Sequence, residues 1–361
     1  MAASEPDFLV VGAGIAGATA ALALSTKYSV RLVDAKGPAA GATGIAAGLV
    51  NPFMGHRARP VWQMEEALDA FHRLIDRTGA HDVLDDRGIL RPAKDARQAD
   101  HFQETHQAFP TATDWLSAAD AKTQFPLVLA PHGLLHVRTG CAVDAAALTN
   151  RVVETARQAG VETFWGMRVK EVQESTTGIA VTVEGTAGRE IWQVKHVLWC
   201  IGAAYPNVEA LASLNLHQVK GQVITLAWPD EVHPNLLPVA GQGYLVPQHS
   251  GIVVGSTFDH AFDDLAPTPE ATQALLQKAG RLIQGLDKAS VVAEQTGIRV
   301  TVPGIRLPMV GPVPASERQW VFTGLGAKGL LLGSFLASKL LDWIDKPAEI
   351  PSELRVHSKN G

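Results

Sequence analysis

The chain has 361 residues, of which 46% are hydrophobic and 19% charged. That length points to two lobes, and the composition excludes a disordered chain. A net charge of −5, with no long run of like charge, gives no support to a nucleic-acid or other polyanionic partner, which needs a clustered basic surface. Two cysteines, Cys141 and Cys200, lie far apart and form neither a metal-ligand nor a redox pair. They read as buried apolar residues of a cytoplasmic protein.

Phe8 to Ser25 holds no charged residue and is about as long as a membrane span. However, Glu5 and Asp7 precede it, where a signal peptide would carry positive charge. Its glycines have another explanation. Phe8–Val11 is a short apolar run, as expected of a strand buried on both faces. Gly12-Ala13-Gly14-Ile15-Ala16-Gly17 follows at once, then a helix of small residues from Ala18 to Thr26, then a second strand, Val30–Val33, ending in Asp34. Gly12 permits a tight turn, Gly14 lets backbone approach a pyrophosphate, and Gly17 lets the helix pack closely on the strand. The helix start offers free N–H groups and partial positive charge to phosphates. Asp34, 20 positions after Gly14, is placed to accept ribose hydroxyls and to repel a 2′-phosphate. The motif does not itself separate NAD from FAD.

Further along, Trp62–Arg77 has helical periodicity and stops at Gly79. Leu84–Pro92 reads as a strand with a turn at Asp86-Arg87-Gly88. Ser117 caps a short helix, and Asp144 caps another that runs through Gln158 and stops at Gly160. The period then changes. Val161–Trp165, Val169–Gln173, Ile179–Glu184, Ile191–Val194 and Val197–Ile201 read as strands, as do Val219–Ala227, Tyr244–Pro247 and Ile252–Ser256. Thr268-Pro269-Glu270 starts a helix to about Ile283. Gly297–Val302 and Trp320–Phe322 are strands, and Leu330–Ile344 is an apolar final helix. The expected class is α/β: a Rossmann-like nucleotide-binding domain interleaved with an antiparallel-sheet α+β substrate domain. The expected segments are 1–80, 145–215 and 300–361 for the first, and 81–144 and 216–299 for the second.

With those motifs in place the chain resembles the D-amino-acid-oxidase-like FAD family, most of all its glycine-oxidase and sarcosine-oxidase branch. It is also similar to the oxidoreductase half of the bifunctional enzyme that matures 5-methylaminomethyl-2-thiouridine in tRNA. Gly41-Ala42-Thr43-Gly44 with Ala47-Gly48 resembles the family's small-residue segment beside the flavin. Val169 falls where the family's backbone meets the adenine. Leu198–Ala203, with Cys200 and Gly202, resembles a strand and turn near the cofactor. Lys220-Gly221-Gln222 resembles the turn into the substrate lobe, and Gly324–Gly329 the glycine-rich loop before the last helix.

The resemblance implies noncovalent FAD, contacted by Gly12, Gly14, Ile15, Ala16, Gly17, Asp34, Ala35, Thr43, Gly44, Ala47, Gly48, Val169, Cys200, Gly202, Gly326, Gly329 and Leu330. Arg299 and Lys328 are expected at both flavin and substrate. Arg299 would fork the substrate carboxylate, a task suited to guanidinium geometry, with Arg306 a nearby rival. Tyr244 would bond the same carboxylate, and Phe258 would be an apolar pocket residue. His56, Arg57 and Arg59 read as a solvated basic turn. The implied reaction is hydride transfer from an amine-bearing carbon to flavin N5, then imine hydrolysis, with oxygen or another acceptor reoxidising the flavin. The alternatives are oxidation of a carboxymethylamino group on a tRNA wobble uridine, supported by Leu307–Pro314, and a 2-hydroxy-acid dehydrogenase on the same fold.

Overall fold

A computed structural model describes residues 5–228, 235–314 and 316–359. A six-stranded sheet forms the first layer. Its strands run, in spatial order, Glu162–Trp165, Val30–Asp34, Phe8–Val11, His196–Trp199, Gln319–Thr323 and Met309–Pro312. The first five are mutually parallel and the last is antiparallel. Both faces are buried, which is why these strands read as unbroken apolar runs. Phe8, Val10, Leu32 and Leu198 face a helical layer. Leu9, Val11, Val33 and Trp199 face a core shared with Ile179, Val181, Val183 and Trp192. The latter belong to a three-stranded antiparallel sheet of Arg168–Glu174, Ile179–Gly185 and Gly188–Val194.

In the helical layer Ile15–Leu24 packs against Ala145–Gln158 and Gly329–Asp345. Small residues set the approach to the last helix: a Cβ on Gly329 would stand 3.2 Å from Ile15 Cγ2, and one on Gly333 would stand 3.7 Å from Ile15 Cγ1. The uncharged stretch 8–25 is therefore a strand and a ten-residue helix. Among the described residues no helix is long and apolar enough to cross a membrane.

An eight-stranded sheet forms the second unit. Its order is Val291–Thr301, His217–Leu226, Gly251–Gly255, Tyr244–Gln248, Val239–Ala240, Ile89–Pro92, Leu134–Val137 and Thr113–Leu116. Pairing is antiparallel except between Val239–Ala240 and Ile89–Pro92. Helix Pro269–Leu282 covers one face, where Leu275, Ala279 and Leu282 meet Ile224, Leu245, Ile252 and Val254. The other face presents Val223, Val246 and Val253 to Ala47 and Ala142.

Several sequence expectations are corrected. Leu84–Asp85 and Ile89–Pro92 are not one strand pair: they join different sheets. The first helix starts at Ile15, not Ala18, because Gly14 already serves as its N-cap. The strand at Val291–Thr301 begins six residues before Gly297 and crosses position 300 without a break.

The caps hold as read. Ser117, Asp144 and Thr268 each accept from the backbone N–H three residues on. Asp144→Ala should cost about 1 kcal/mol of stability. A urea titration checks this, and an unchanged midpoint would show that the cap contributes nothing.

Candidate active site

The parallel strand order reverses between Phe8–Val11 and His196–Trp199, and in such sheets ligands bind at the carboxyl ends of the strands beside that point. Here the backbone is packed so tightly that side chains are excluded. Gly12 has φ +104°. A Cβ on it would stand 2.5 Å from the Cys200 carbonyl oxygen, and one on Gly17 would stand 1.7 Å from the Gly12 oxygen. Gly14 differs, since a Cβ there would meet Thr43 Oγ1 at 3.2 Å and nothing else within reach. Its backbone is open, as approach by a phosphate requires.

The helix from Ile15 has no acid in its first turn. Ile15 N–H donates to Thr43 Oγ1 at 3.1 Å. The N–H groups of Ala16 and Gly17 have no protein acceptor among the described residues, the condition under which a helix start takes a phosphate. Asp34 accepts from Ala13 N at 2.8 Å, Lys36 N at 2.7 Å and Gly37 N at 3.0 Å. A carboxylate has about four acceptor positions, so one remains for a ribose hydroxyl. This donor and acceptor set fits a dinucleotide.

Other expected cofactor residues gather around that crevice. Cys200 N–H donates to Val11 O at 2.8 Å, and burial pushes its thiol pKa upward. Gly202, at φ +51°, opens the turn Gly202–Asn207. Gly44 lies against Ala39 O, whose own N–H donates to Ala13 O at 2.9 Å. Gly48 packs on Val143 O, where a Cβ would come within 1.7 Å. Ala47 and Tyr244 share one apolar cluster, so the 41–48 segment is wedged against the second sheet. Gly326 N–H donates to Val300 O at 2.9 Å, Gly329 abuts Ile15, and Leu330 is buried behind it. Two helix starts therefore adjoin. Ala35 is exposed after Asp34, and Val169 pairs with Val183 in the three-stranded sheet, two residues beyond Met167, whose N–H donates to Asp34 O at 3.2 Å.

At the substrate end the structure brings Arg299, Tyr244 and Phe258 together. Arg299 lies opposite Val219, and its guanidinium covers Gly221, where a Cβ would fall 1.9 Å from Nη2. That Nη2 donates to Ser256 Oγ at 3.0 Å and to Thr257 O at 2.9 Å. The Phe258 ring stacks on the guanidinium with its centroid 4.4 Å from Cζ. Phe258 is 65% exposed, so it is a cover on the arginine and not the lining of a closed pocket. Tyr244 lies opposite Gly255 with its ring over that glycine and its hydroxyl beside Ser256. Burial raises the Tyr244 pKa, against the opposing pull of Arg299, so the phenol keeps its proton. Burial also lowers the Arg299 pKa.

Lys328 behaves differently. Its ammonium donates to Arg306 O at 2.7 Å, and burial lowers its pKa. Among the described residues no hydrogen bond, ion pair or ring contact joins it to Arg299, Tyr244 or Phe258. Arg306 is exposed at φ +57°, offering a carbonyl to Lys328. His56, Arg57 and Arg59 are exposed, the first two in the turn between the short strands Phe53–Met54 and Arg59–Pro60.

Sequence reasoning missed Ser256, whose hydroxyl accepts from Arg299 beside Tyr244. It also missed why Gly221 and Gly255 are glycines: each lies beneath a large side chain from the neighbouring strand. Only the register, with Tyr244 opposite Gly255, exposes that logic.

Two outcomes follow. Ser256→Ala should raise the substrate concentration for half-maximal flavin reduction several-fold, with FAD content unchanged; an unaltered value removes Ser256 from the site. Gly17→Ala should yield protein that does not retain FAD, read from its absorbance spectrum after desalting.

The FAD dependent oxidoreductase family matches residues 7–343. Glycine oxidase of Pseudomonas putida is 28% identical over 348 residues, covering 90% of this chain and 90% of that protein. The bifunctional tRNA 5-methylaminomethyl-2-thiouridine biosynthesis protein MnmC of Maricaulis maris is 30% identical over 95% of this chain, which spans 53% of that longer protein. The crystal structure of glycine oxidase from Geobacillus kaustophilus superposes with a TM-score of 0.80 at 22% identity, covering 96% of this chain and 95% of that one. With the dinucleotide crevice described above, these matches place the chain: it belongs to the D-amino-acid-oxidase family of FAD-dependent oxidoreductases.

Proposed function

We propose that the protein oxidises a small amine or amino acid that carries a carboxylate, using noncovalently held FAD. One observation carries the reading. Arg299 is tethered through Nη2, while its Nε and Nη1 have no acceptor among the described residues. A guanidinium so fixed keeps its Nε and Nη1 hydrogens free to donate to an anionic group such as a carboxylate. The Phe258 ring covers it, and Tyr244 adds a protonated hydroxyl from another strand of the same sheet. The likeness to glycine oxidase over 90% of the chain supports the same substrate class.

FAD, when bound, accepts a hydride from the amine-bearing carbon. The glycine turn, the first-turn amides of Ile15–Leu24 and the Asp34 carboxylate would hold it, with Gly326 and the start of Gly329–Asp345 beside it. The protein's own contribution is positioning: Arg299 and Tyr244 fix the carboxylate, and hence the adjoining carbon. In this reading segments 1–80, 145–215 and 300–361 carry the cofactor, while 81–144 and 216–299 carry the substrate group. Two cysteines that are buried and unpaired accord with a cytoplasmic setting. Oxygen or another acceptor completes the cycle.

A second reading, oxidation of a carboxymethylamino group on tRNA, draws support from the Maricaulis maris relative. A 2-hydroxy-acid substrate would use the same carboxylate clamp. Anaerobic mixing of the yellow protein with panels of amino acids, hydroxy acids and tRNA separates the three. The expected result is bleaching by a small amino acid, and its loss or a large rise in the required concentration in Arg299→Gln. Bleaching by a hydroxy acid or by tRNA alone overturns the reading.

A further inference from the structure

A cavity of about 1030 Å³ lies outside the Arg299 group. Its wall carries Arg91, Lys94, Lys122, Arg281 and His56, and no aspartate or glutamate. Four permanent positive charges therefore share one concavity. Among the described residues only Lys94 of the four has an acid within ion-pair distance, Asp95 at 3.5 Å. Arg91 is buried; it donates to Phe53 O at 2.5 Å and Gly55 O at 2.7 Å, lies 5.0 Å from the Phe102 ring centre, and leaves its Nε without a partner. Lys122 donates to Pro126 O at 3.0 Å. Partial desolvation by its neighbours and the Lys94 charge both lower the His56 pKa.

Gathering like charges in a cleft costs folding energy through repulsion, and it focuses a field that concentrates counter-ions. Exposed surfaces avoid that cost by interspersing acids, as in the pair Arg138–Asp114 elsewhere on this chain. Between the charged residues the wall is apolar, formed by Val128, Leu129, Pro131 and Leu282. The volume is at the upper end of small-molecule pockets, roughly 300–1,000 Å³. Arginine and lysine together suit a phosphoryl group, and the apolar wall suits an organic body.

We infer that this cavity binds a phosphorylated small molecule. The site goes beyond the flavin reading and does not require it. Gln242 of its wall precedes Tyr244 by two residues, on the turn before the strand Tyr244–Gln248. The phosphoryl group could thus belong to the amine substrate or to a separate effector; both place the same chemistry in the same cleft.

Inorganic pyrophosphate is the probe, titrated calorimetrically into the FAD-loaded protein at low salt. Saturable binding is expected. Arg281→Gln combined with Lys122→Gln should weaken it about tenfold or more, while Arg281→Lys retains it. Absence of saturable binding, or equal affinity in the double variant, overturns the inference. In the amine-bleaching assay, competition by pyrophosphate assigns the phosphoryl group to the substrate, and noncompetitive behaviour assigns it to an effector. If the isolated protein carries no flavin, the proposed oxidation fails, yet the dependence of pyrophosphate binding on Arg281 and Lys122 still decides the fate of this cavity.

Discussion

The fold turns on one steric fact: three stretches of backbone meet where no side chain fits. Gly12, Gly17 and the Cys200 carbonyl stand so close that a single added methyl group at either glycine would collide with a main-chain oxygen. That contact joins the ends of the first and fourth parallel strands to the first helix. It also aims the helix start along the crevice, and Asp34 ties the same turn to the second strand through Ala13 N–H. Everything that could hold a diphosphate is fixed by packing before any ligand arrives, so little ordering entropy is left to be lost on binding.

A different device builds the substrate end. There, glycines on one strand make room for a large polar side chain from the next: Gly221 beneath Arg299, and Gly255 beneath Tyr244. Ser256 accepts from the arginine and lies beside the tyrosine. Sheet backbone is a stiff support, and placing a guanidinium on it by cross-strand contact is more exact than placing it on a loop. The rim is treated differently, since Phe258 remains largely exposed above the arginine.

The legible parts of this chain were those written in local residue patterns. The glycine turn between two apolar runs, the caps at Ser117, Asp144 and Thr268, and the left-handed stop at Gly79 need only neighbours in sequence. The helix Ala96–Ala108 escaped notice because its inner face is made of Gln98, Ala99, Phe102 and Thr105, a poor apolar stripe. Likewise, the first half of Val291–Thr301 carries exposed Ala293, Glu294 and Gln295, with no buried alternation to mark it. Pairing was beyond reach for another reason. Nothing near Leu84–Pro92 says that its two halves join different sheets, because partners are chosen by long-range packing. The charged cavity is assembled from positions 56, 91, 94, 122 and 281, so a chain with a mild overall charge concealed it.

The interlocking of Ile15–Leu24 with Gly329–Asp345 bears on how the chain is made. Thr19 Oγ1 reaches the Gly333 carbonyl at 3.4 Å across 314 residues of sequence. During synthesis the helix that closes over the glycine turn emerges some 314 residues after it. The dinucleotide unit thus cannot be finished on a growing chain; it waits as an open platform while the second sheet folds between its two ends. Cofactor capture thus follows synthesis of the Gly329–Asp345 helix and not the appearance of the motif that recognises it.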